Sequence, residues 1–236
     1  MGRSFPSRLI CMFEFLSKMA LLKASGIFKA YGNLEVLKGI ELIVEKGQIL
    51  SVVGASGAGK STLLHILGTL DKPDSGQLLI HGKETSRMNS SQLARFRNQE
   101  IGFVFQFHNL LPEFTALENV MMPAFLGAQN GRNVEEDAFA LLKKLGVGAR
   151  ADHKPSELSG GEQQRVAVAR SLINKPAIVF ADEPSGNLDS KNAKELHELF
   201  FQLREDMDQT FVIVTHNEAL AEMADRKIEI EDGKII

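Results

Sequence analysis

Three short apolar runs, each ending in polar residues, constrain this chain more than any other feature. Ile49-Leu50-Ser51-Val52-Val53 runs into Gly54, Ala177-Ile178-Val179-Phe180-Ala181 into Asp182-Glu183, and Phe211-Val212-Ile213-Val214 into Thr215-His216. Runs this short, rich in Val and Ile and without polar alternation, suit strands buried on both faces. Helical patterns separate them: Ser61 to Leu70 follows the first, and Leu196, Leu199, Phe200, Leu203 and Met207 form an apolar stripe after the second. This alternation predicts an α/β fold with a parallel sheet. In such sheets ligands bind beyond the carboxyl ends of the strands. All three runs put their polar residues at that end, so one site would collect them.

The flanking segments read differently. Ala20 to Phe28, Glu35 to Val44 and Gln77 to Ile80 read as short strands with turns at Tyr31-Gly32-Asn33, Glu45-Lys46-Gly47 and His81-Gly82. They predict an antiparallel β layer beside the main sheet. Ser91 to about Leu145 reads as mostly helical, and Glu135 to Leu145 is amphipathic with Gly146 as its stop. This block, extended to about residues 91–156, is expected to be an inserted helical subdomain.

Composition limits the remaining classes. The chain has 236 residues and a net charge of −3, so no basic excess points to nucleic acid. One cysteine, Cys11, excludes an internal disulfide and fits a reducing compartment. No apolar run approaches the roughly 20 residues needed to span a bilayer. Residues 1–18 begin like a signal peptide, with Arg3 and Arg8 before Leu9 to Phe13, but Glu14 and Lys18 interrupt the apolar stretch. They read as an extension or as the product of an upstream start codon, with Met19 the true start. Residues 19–236 read as a single domain.

Gly54-Ala55-Ser56-Gly57-Ala58-Gly59-Lys60-Ser61 matches the phosphate-loop pattern G-x-x-x-x-G-K-S between a strand and a helix. Its glycines let backbone N–H groups turn toward a phosphate, and the helix offers its positive end. Lys60 would reach the β- and γ-phosphates, and Ser61 would bind Mg²⁺. Asp182-Glu183 ends another buried strand and, seen alone, reads equally as two solvated carboxylates; beside a phosphate loop, Asp182 suits the Mg²⁺ shell and Glu183 would polarise an attacking water. His216 ends the third run and reads equally as a structural residue or as a γ-phosphate contact.

Ser159-Gly160-Gly161-Glu162 is a capping box, S-x-x-E, and so reads first as a well-capped helix start. Yet Gly160 and Gly161 sit in the first turn, where each costs up to ~1 kcal/mol relative to Ala. Bare glycines there suggest close approach to the backbone, with a phosphate as the natural candidate. Spacing alone leaves the two readings nearly level.

Taken together these residues resemble the ATP-binding cassette (ABC) ATPase family over about Ala20 to Ile236. Leu158 to Gln164 resembles the family signature, Gln106 the Q-loop glutamine, Ser185-Gly186-Asn187-Leu188-Asp189 the D-loop, and His216 the switch histidine. The resemblance implies a P-loop NTPase (RecA-like) core with an antiparallel β subdomain and an inserted α-helical subdomain. It implies ATP and Mg²⁺ as cofactors, with Gln106 near the metal and the attacking water and Tyr31 stacked on adenine. Residues Gly54 to Ser61, with Thr62, would hold the nucleotide. Two copies would pair head to tail, each covering the other's ATP with Ser159, Gly160, Gly161, Glu162 and Asp189. Integral membrane subunits would turn closure into work.

A narrower resemblance rests on Phe105 to Val120, with Gln106-Phe107-His108 and Leu110-Leu111-Pro112-Glu113-Phe114-Thr115-Ala116-Leu117-Glu118-Asn119. It is similar to the lipoprotein-releasing (LolD-type) ATPases, with macrolide-export and cell-division branches as neighbours. Ser185 stands where these branches often carry Thr. The resemblance implies a peripheral subunit on the cytoplasmic face of a bacterial inner membrane. Residue by residue, Phe105 to Phe125 reads partly as helical core and partly as a groove for a partner's short helix.

Overall fold

The computed structural model describes residues 20–127 and 132–236. The reading of residues 1–18, and Cys11 with it, lies outside the described residues.

Two sheets form the frame. The first is antiparallel, in the order β2-β1-β4-β5, from β1 (Ala20–Tyr31), β2 (Leu34–Glu45), β4 (Ser75–Ile80) and β5 (Lys83–Glu84). The second has six strands in the order β10-β9-β3-β8-β7-β6: β3 (Ile49–Val53), β6 (Ile101–Phe105), β7 (Ile178–Asp182), β8 (Thr210–Val214), β9 (Arg226–Glu231) and β10 (Lys234–Ile235). Its pairs from β9 through β6 are parallel, and β10 returns antiparallel to β9. The helices are α1 (Lys60–Leu67), α2 (Ser90–Glu100), α3 (Ala116–Phe125), α4 (Val134–Lys144), α5 (Gly160–Leu172), α6 (Ser190–Met207) and α7 (Glu218–Met223).

The unalternating apolar runs are explained by two cores, one on each face of the parallel sheet. Leu50, Val52, Phe180, Val212 and Val214 pack with Leu22, Ile27, Leu37 and Leu64 of the β layer and α1. Ile49, Val179, Ala181, Phe211 and Ile213 pack with Val166, Leu196 and Phe200 of α5 and α6. Successive residues of a strand point to opposite faces, so a strand between two cores is apolar at every position. Each such buried Val, Leu or Phe contributes roughly 1.5–3 kcal/mol.

One element departs from the sequence reading. Ile101-Gly102-Phe103-Val104-Phe105, inside the block read as mostly helical, is the edge strand β6, in parallel register with β7. Its aromatic and β-branched content was the available signal, but a run of that length fits a buried helix segment equally well. Gly102 lets α5 pack closely on β6: a Cβ there would meet the Ser171 carbonyl at 2.6 Å. Beyond β6 the chain is helical as expected. Val120, Ala138 and Leu142 of α3 and α4 join the core that holds α5.

Strands β3, β7 and β8 thus end side by side. Gly54, Asp182-Glu183 and Thr215-His216 emerge at one edge of the sheet.

Candidate nucleotide site

The phosphate loop follows β3 and feeds α1. Gly54, Gly57 and Gly59 have φ of 145°, 82° and 104°, a region that side chains with a Cβ rarely adopt. Gly57 faces open space, with nothing within 4 Å of where its Cβ would lie. Its glycine is therefore set by backbone conformation alone. The N-cap of α1 is Gly59, which offers no side chain to the first-turn amides. Lys60 Nζ donates to the carbonyls of Gly54 and Ala55 at 2.8 and 2.9 Å, which folds the loop around its own lysine.

Across the sheet edge Ser61 Oγ donates to Asp182 Oδ1 at 3.2 Å. Burial pushes the Asp182 carboxyl up, while the Ser61 hydroxyl pulls it down. His65, one turn along α1, has Nε2 4.0 Å from Asp182 Oδ2. Glu183 takes a left-handed backbone, φ 47°, with its amide on the Val214 carbonyl. Its Oε2 lies 2.7 Å from His216 Nδ1 and accepts the His216 amide at 3.2 Å. Glu183 and His216, from two different strand ends, therefore form a single unit.

Gln106 leaves the end of β6, and its Nε2 donates to Asn187 Oδ1 at 3.0 Å. Asn187 Nδ2 returns a bond to the Gln106 carbonyl at 3.1 Å. This reciprocal amide pair links residues 81 positions apart and ties the head of the helical block to the loop after β7. In the same loop Ser185 Oγ meets His197 Nε2 of α6 at 3.0 Å, both buried. Burial holds the His197 imidazole below its ordinary range. His197 lies in the apolar stripe of α6, beside Leu196, where no sequence pattern marks a polar contact that only the loop's return supplies. Asp189 caps α6 by accepting from the Asn192 amide at 2.9 Å and side chain at 2.7 Å, which lowers its carboxyl.

The signature segment opens α5. Ser159 and Glu162 form the full capping box: Ser159 N donates to Glu162 Oε2 at 2.8 Å and Glu162 N to Ser159 Oγ at 3.3 Å. Arg150 Nε adds a bond to Glu162 Oε1 at 2.9 Å. The Ser159 amide, then Arg150, then the Ser159 hydroxyl hold the Glu162 carboxyl down at about 2. The two glycines separate in function. Gly161 is buried, and a Cβ there would meet Asn192 Oδ1 at 2.6 Å. Gly160 is exposed, and a Cβ there would meet only Leu188, at an ordinary 3.7 Å. Packing inside the subunit thus accounts for Gly161 and leaves Gly160 unaccounted for. Among the described residues no hydrogen bond or ion pair joins Ser159 to Glu162 with the phosphate loop.

Tyr31 ends β1, half exposed, with its hydroxyl donating to Asp71 Oδ2 at 2.7 Å. Phe105 to Phe125 holds both buried and exposed residues. Ala116, Asn119, Val120 and Ala124 are buried, whereas Phe107, Leu111, Phe114 and Phe125 are exposed. Asn119 fixes the loop before α3 by accepting from Leu111 N and donating to the carbonyls of Leu111, Phe114 and Thr115. Among the described residues no helix is long and apolar enough to cross a membrane.

Comparison with known proteins points to one family. The family model described as ABC transporter matches residues 37–186. A relative from Cytophaga hutchinsonii, named lipoprotein-releasing system ATP-binding protein LolD, is 63% identical over 92% of this chain and 99% of its own length. Proteins of the same name from Bacteroides thetaiotaomicron and Myxococcus xanthus are 58% and 48% identical over 91% and 92% of the chain, and 99% of each relative. Among solved structures, a dimeric post-hydrolysis state of an ATP-binding cassette bound to ADP and Pi is similar at a TM-score of 0.82 and 40% identity, covering 91% of this chain and 96% of that one.

Proposed function

Since the chain belongs to the ABC transporter ATP-binding family, we propose that it is the ATP-hydrolysing subunit of a system that releases lipoproteins from a membrane. The observation that carries the cargo is the near-full-length similarity, at 63% and 58% identity, to proteins named for lipoprotein release.

The site supports assigned roles. The loop from Gly54 to Ser61, with Thr62, cradles the phosphates through backbone amides and Lys60. Tyr31 stacks on adenine. Ser61, Asp182 and Gln106 would hold Mg²⁺ through oxygen atoms. An all-oxygen donor set suits that ion, and a carboxylate that burial penalises is one whose charge a divalent cation relieves. Bound there, Mg²⁺ would neutralise charge on the phosphate oxygens. Water attacks the γ-phosphorus as its bond to the ADP oxygen breaks, and Glu183 Oε takes the water's proton. His216, already paired to Glu183, holds that carboxylate in position. Ser159, Gly160, Gly161, Glu162 and Asp189 of a second copy close over the nucleotide, and the exposure of Gly160 supports that placement.

Membrane subunits complete the machine. The exposed Phe107, Leu111, Phe114 and Phe125 are where a permease helix would seat, on the cytoplasmic face of a bacterial inner membrane.

Glu183→Gln tests the chemistry. We expect ATP binding to persist, hydrolysis to fall by ~10²–10⁴-fold, and a nucleotide-bound dimer to accumulate on size exclusion. Near-normal turnover would remove Glu183 as the base. Co-purification from membranes tests the cargo: a pair of membrane subunits carrying lipoprotein is the supporting result, and permease subunits without it the opposing one.

A further inference from the structure

The end of β1 is bolted to the exit of the phosphate-loop helix. Tyr31 donates its hydroxyl to Asp71 Oδ2 at 2.7 Å. Lys29, on the same face of the strand, donates to Asp71 Oδ1 at 3.1 Å and to the Lys72 carbonyl at 2.7 Å. Its ammonium also lies 5.0 Å from the centre of the Tyr31 ring. Asp74 accepts from the Ala30 amide at 2.7 Å, and its own amide donates to the Phe28 carbonyl at 2.9 Å. Asp71 is in turn mounted on α1: the Leu70 and Asp71 amides both reach the His65 carbonyl. The bonds therefore run from a half-exposed aromatic ring, through one carboxylate, to the helix whose other end carries Lys60 and Ser61.

We infer that Asp71, braced by Lys29, is a positioning residue that fixes the Tyr31 ring at a set distance from the phosphate loop. This rests on the reading of Tyr31 as the adenine platform. A tyrosine at the end of a strand, beside a Gly-Asn turn, would otherwise choose among rotamers, and binding would bear the cost of ordering it. With the phenol anchored, the aromatic face and the phosphate cradle stand at one spacing before nucleotide arrives. The benefit falls on binding the base, and the chemistry at the γ-phosphate is untouched.

The test uses the full chain with three single variants, Asp71→Ala, Tyr31→Phe and Tyr31→Ala, and the Asp71→Ala/Tyr31→Phe double variant. Binding of ATP and of inorganic tripolyphosphate, which has no base, is measured beside ATPase kinetics. Asp71→Ala is expected to raise Kd and KM for ATP by ~3–10-fold, leaving kcat and tripolyphosphate binding as in the parent. Tyr31→Phe keeps the ring but loses the anchor, so it should match Asp71→Ala, with the double variant no worse than either single one. Unchanged ATP affinity in Asp71→Ala would overturn the inference. So would an equal loss of tripolyphosphate, because Asp71 would then merely hold the helix in place. Tyr31→Ala reports separately on the platform: if it binds ATP normally, that reading fails; if it binds weakly while Asp71→Ala is normal, only the anchoring fails.

Discussion

Helices α1 and α5 both begin at glycine-rich turns, and they treat their first-turn amides in opposite ways. At α1 the N-cap is Gly59, with a left-handed φ of 104° and no capping side chain. At α5 the N-cap is Ser159, with an extended backbone and a complete capping box through Glu162. The first N-terminus keeps its donors for something outside the chain. The second has its Ser159 and Glu162 amides held by the capping box, and Arg150 adds a bond to Glu162. That helix end can present a surface to another subunit, and the exposed Gly160 is the part of that surface with no internal duty. The contrast supports the proposed division, in which the phosphate loop binds nucleotide and the signature segment of a second copy covers it.

The strongest way to break this contrast is Gly160→Asp. A carboxylate in the first helical turn favours the helix dipole, so folding should not suffer. Nucleotide binding by the monomer should be intact, while hydrolysis by the dimer should fall by ~10²-fold or more as a negative charge faces the phosphates. Normal hydrolysis would reduce the segment to a helix cap.

Gly161→Ala sharpens the contrast from inside the subunit. Its Cβ would collide with Asn192, which also bonds Asp189 at the cap of α6. Overpacking of this kind costs ~1–3 kcal/mol, only partly offset by the ~1 kcal/mol helix advantage of Ala. Thermal unfolding should show a lowered Tm for Gly161→Ala and no loss for Gly160→Ala. Equal behaviour of the two variants would contradict the division of labour between the glycines.

The smallest effect concerns the cap itself. The folded Glu162 carboxyl, at about 2, lies below its ordinary value of 4.5. Its stabilising contribution is therefore fully present above about 4.5 and is lost as pH falls toward about 2. Glu162→Gln should be less stable than the parent near neutral pH, and the gap in Tm should close across that acid window. A gap independent of pH would mean that the carboxylate charge does not matter to the cap.

Much of this was legible beforehand. The three apolar runs became β3, β7 and β8, and the N-terminal strands became the antiparallel layer, because burial on two faces and burial on one leave different residue patterns. The phosphate loop was legible because its glycines are dictated by local backbone angles. Strand β6 was not. Its five residues suit a strand or a buried helix segment alike, and the close seat of α5 on them depends on Gly102 admitting the Ser171 carbonyl, an approach between segments 69 positions apart. The Ser185–His197 bond and the Gln106–Asn187 pair were hidden for the same reason. Each joins residues that no local pattern couples.

Sequence alone determined which residues could bind phosphate, cap a helix or fill a core, because those properties reside in side-chain chemistry and short-range backbone geometry. Tertiary structure decided which of them meet. It set Ser61 beside Asp182, joined Glu183 to His216, and gave Gly161 a neighbour while leaving Gly160 bare. The physical reason is that local propensities act over a few residues, whereas sheet order and close packing bring distant segments within contact range. Only that packing could show that two adjacent glycines, equivalent in the sequence, serve different purposes.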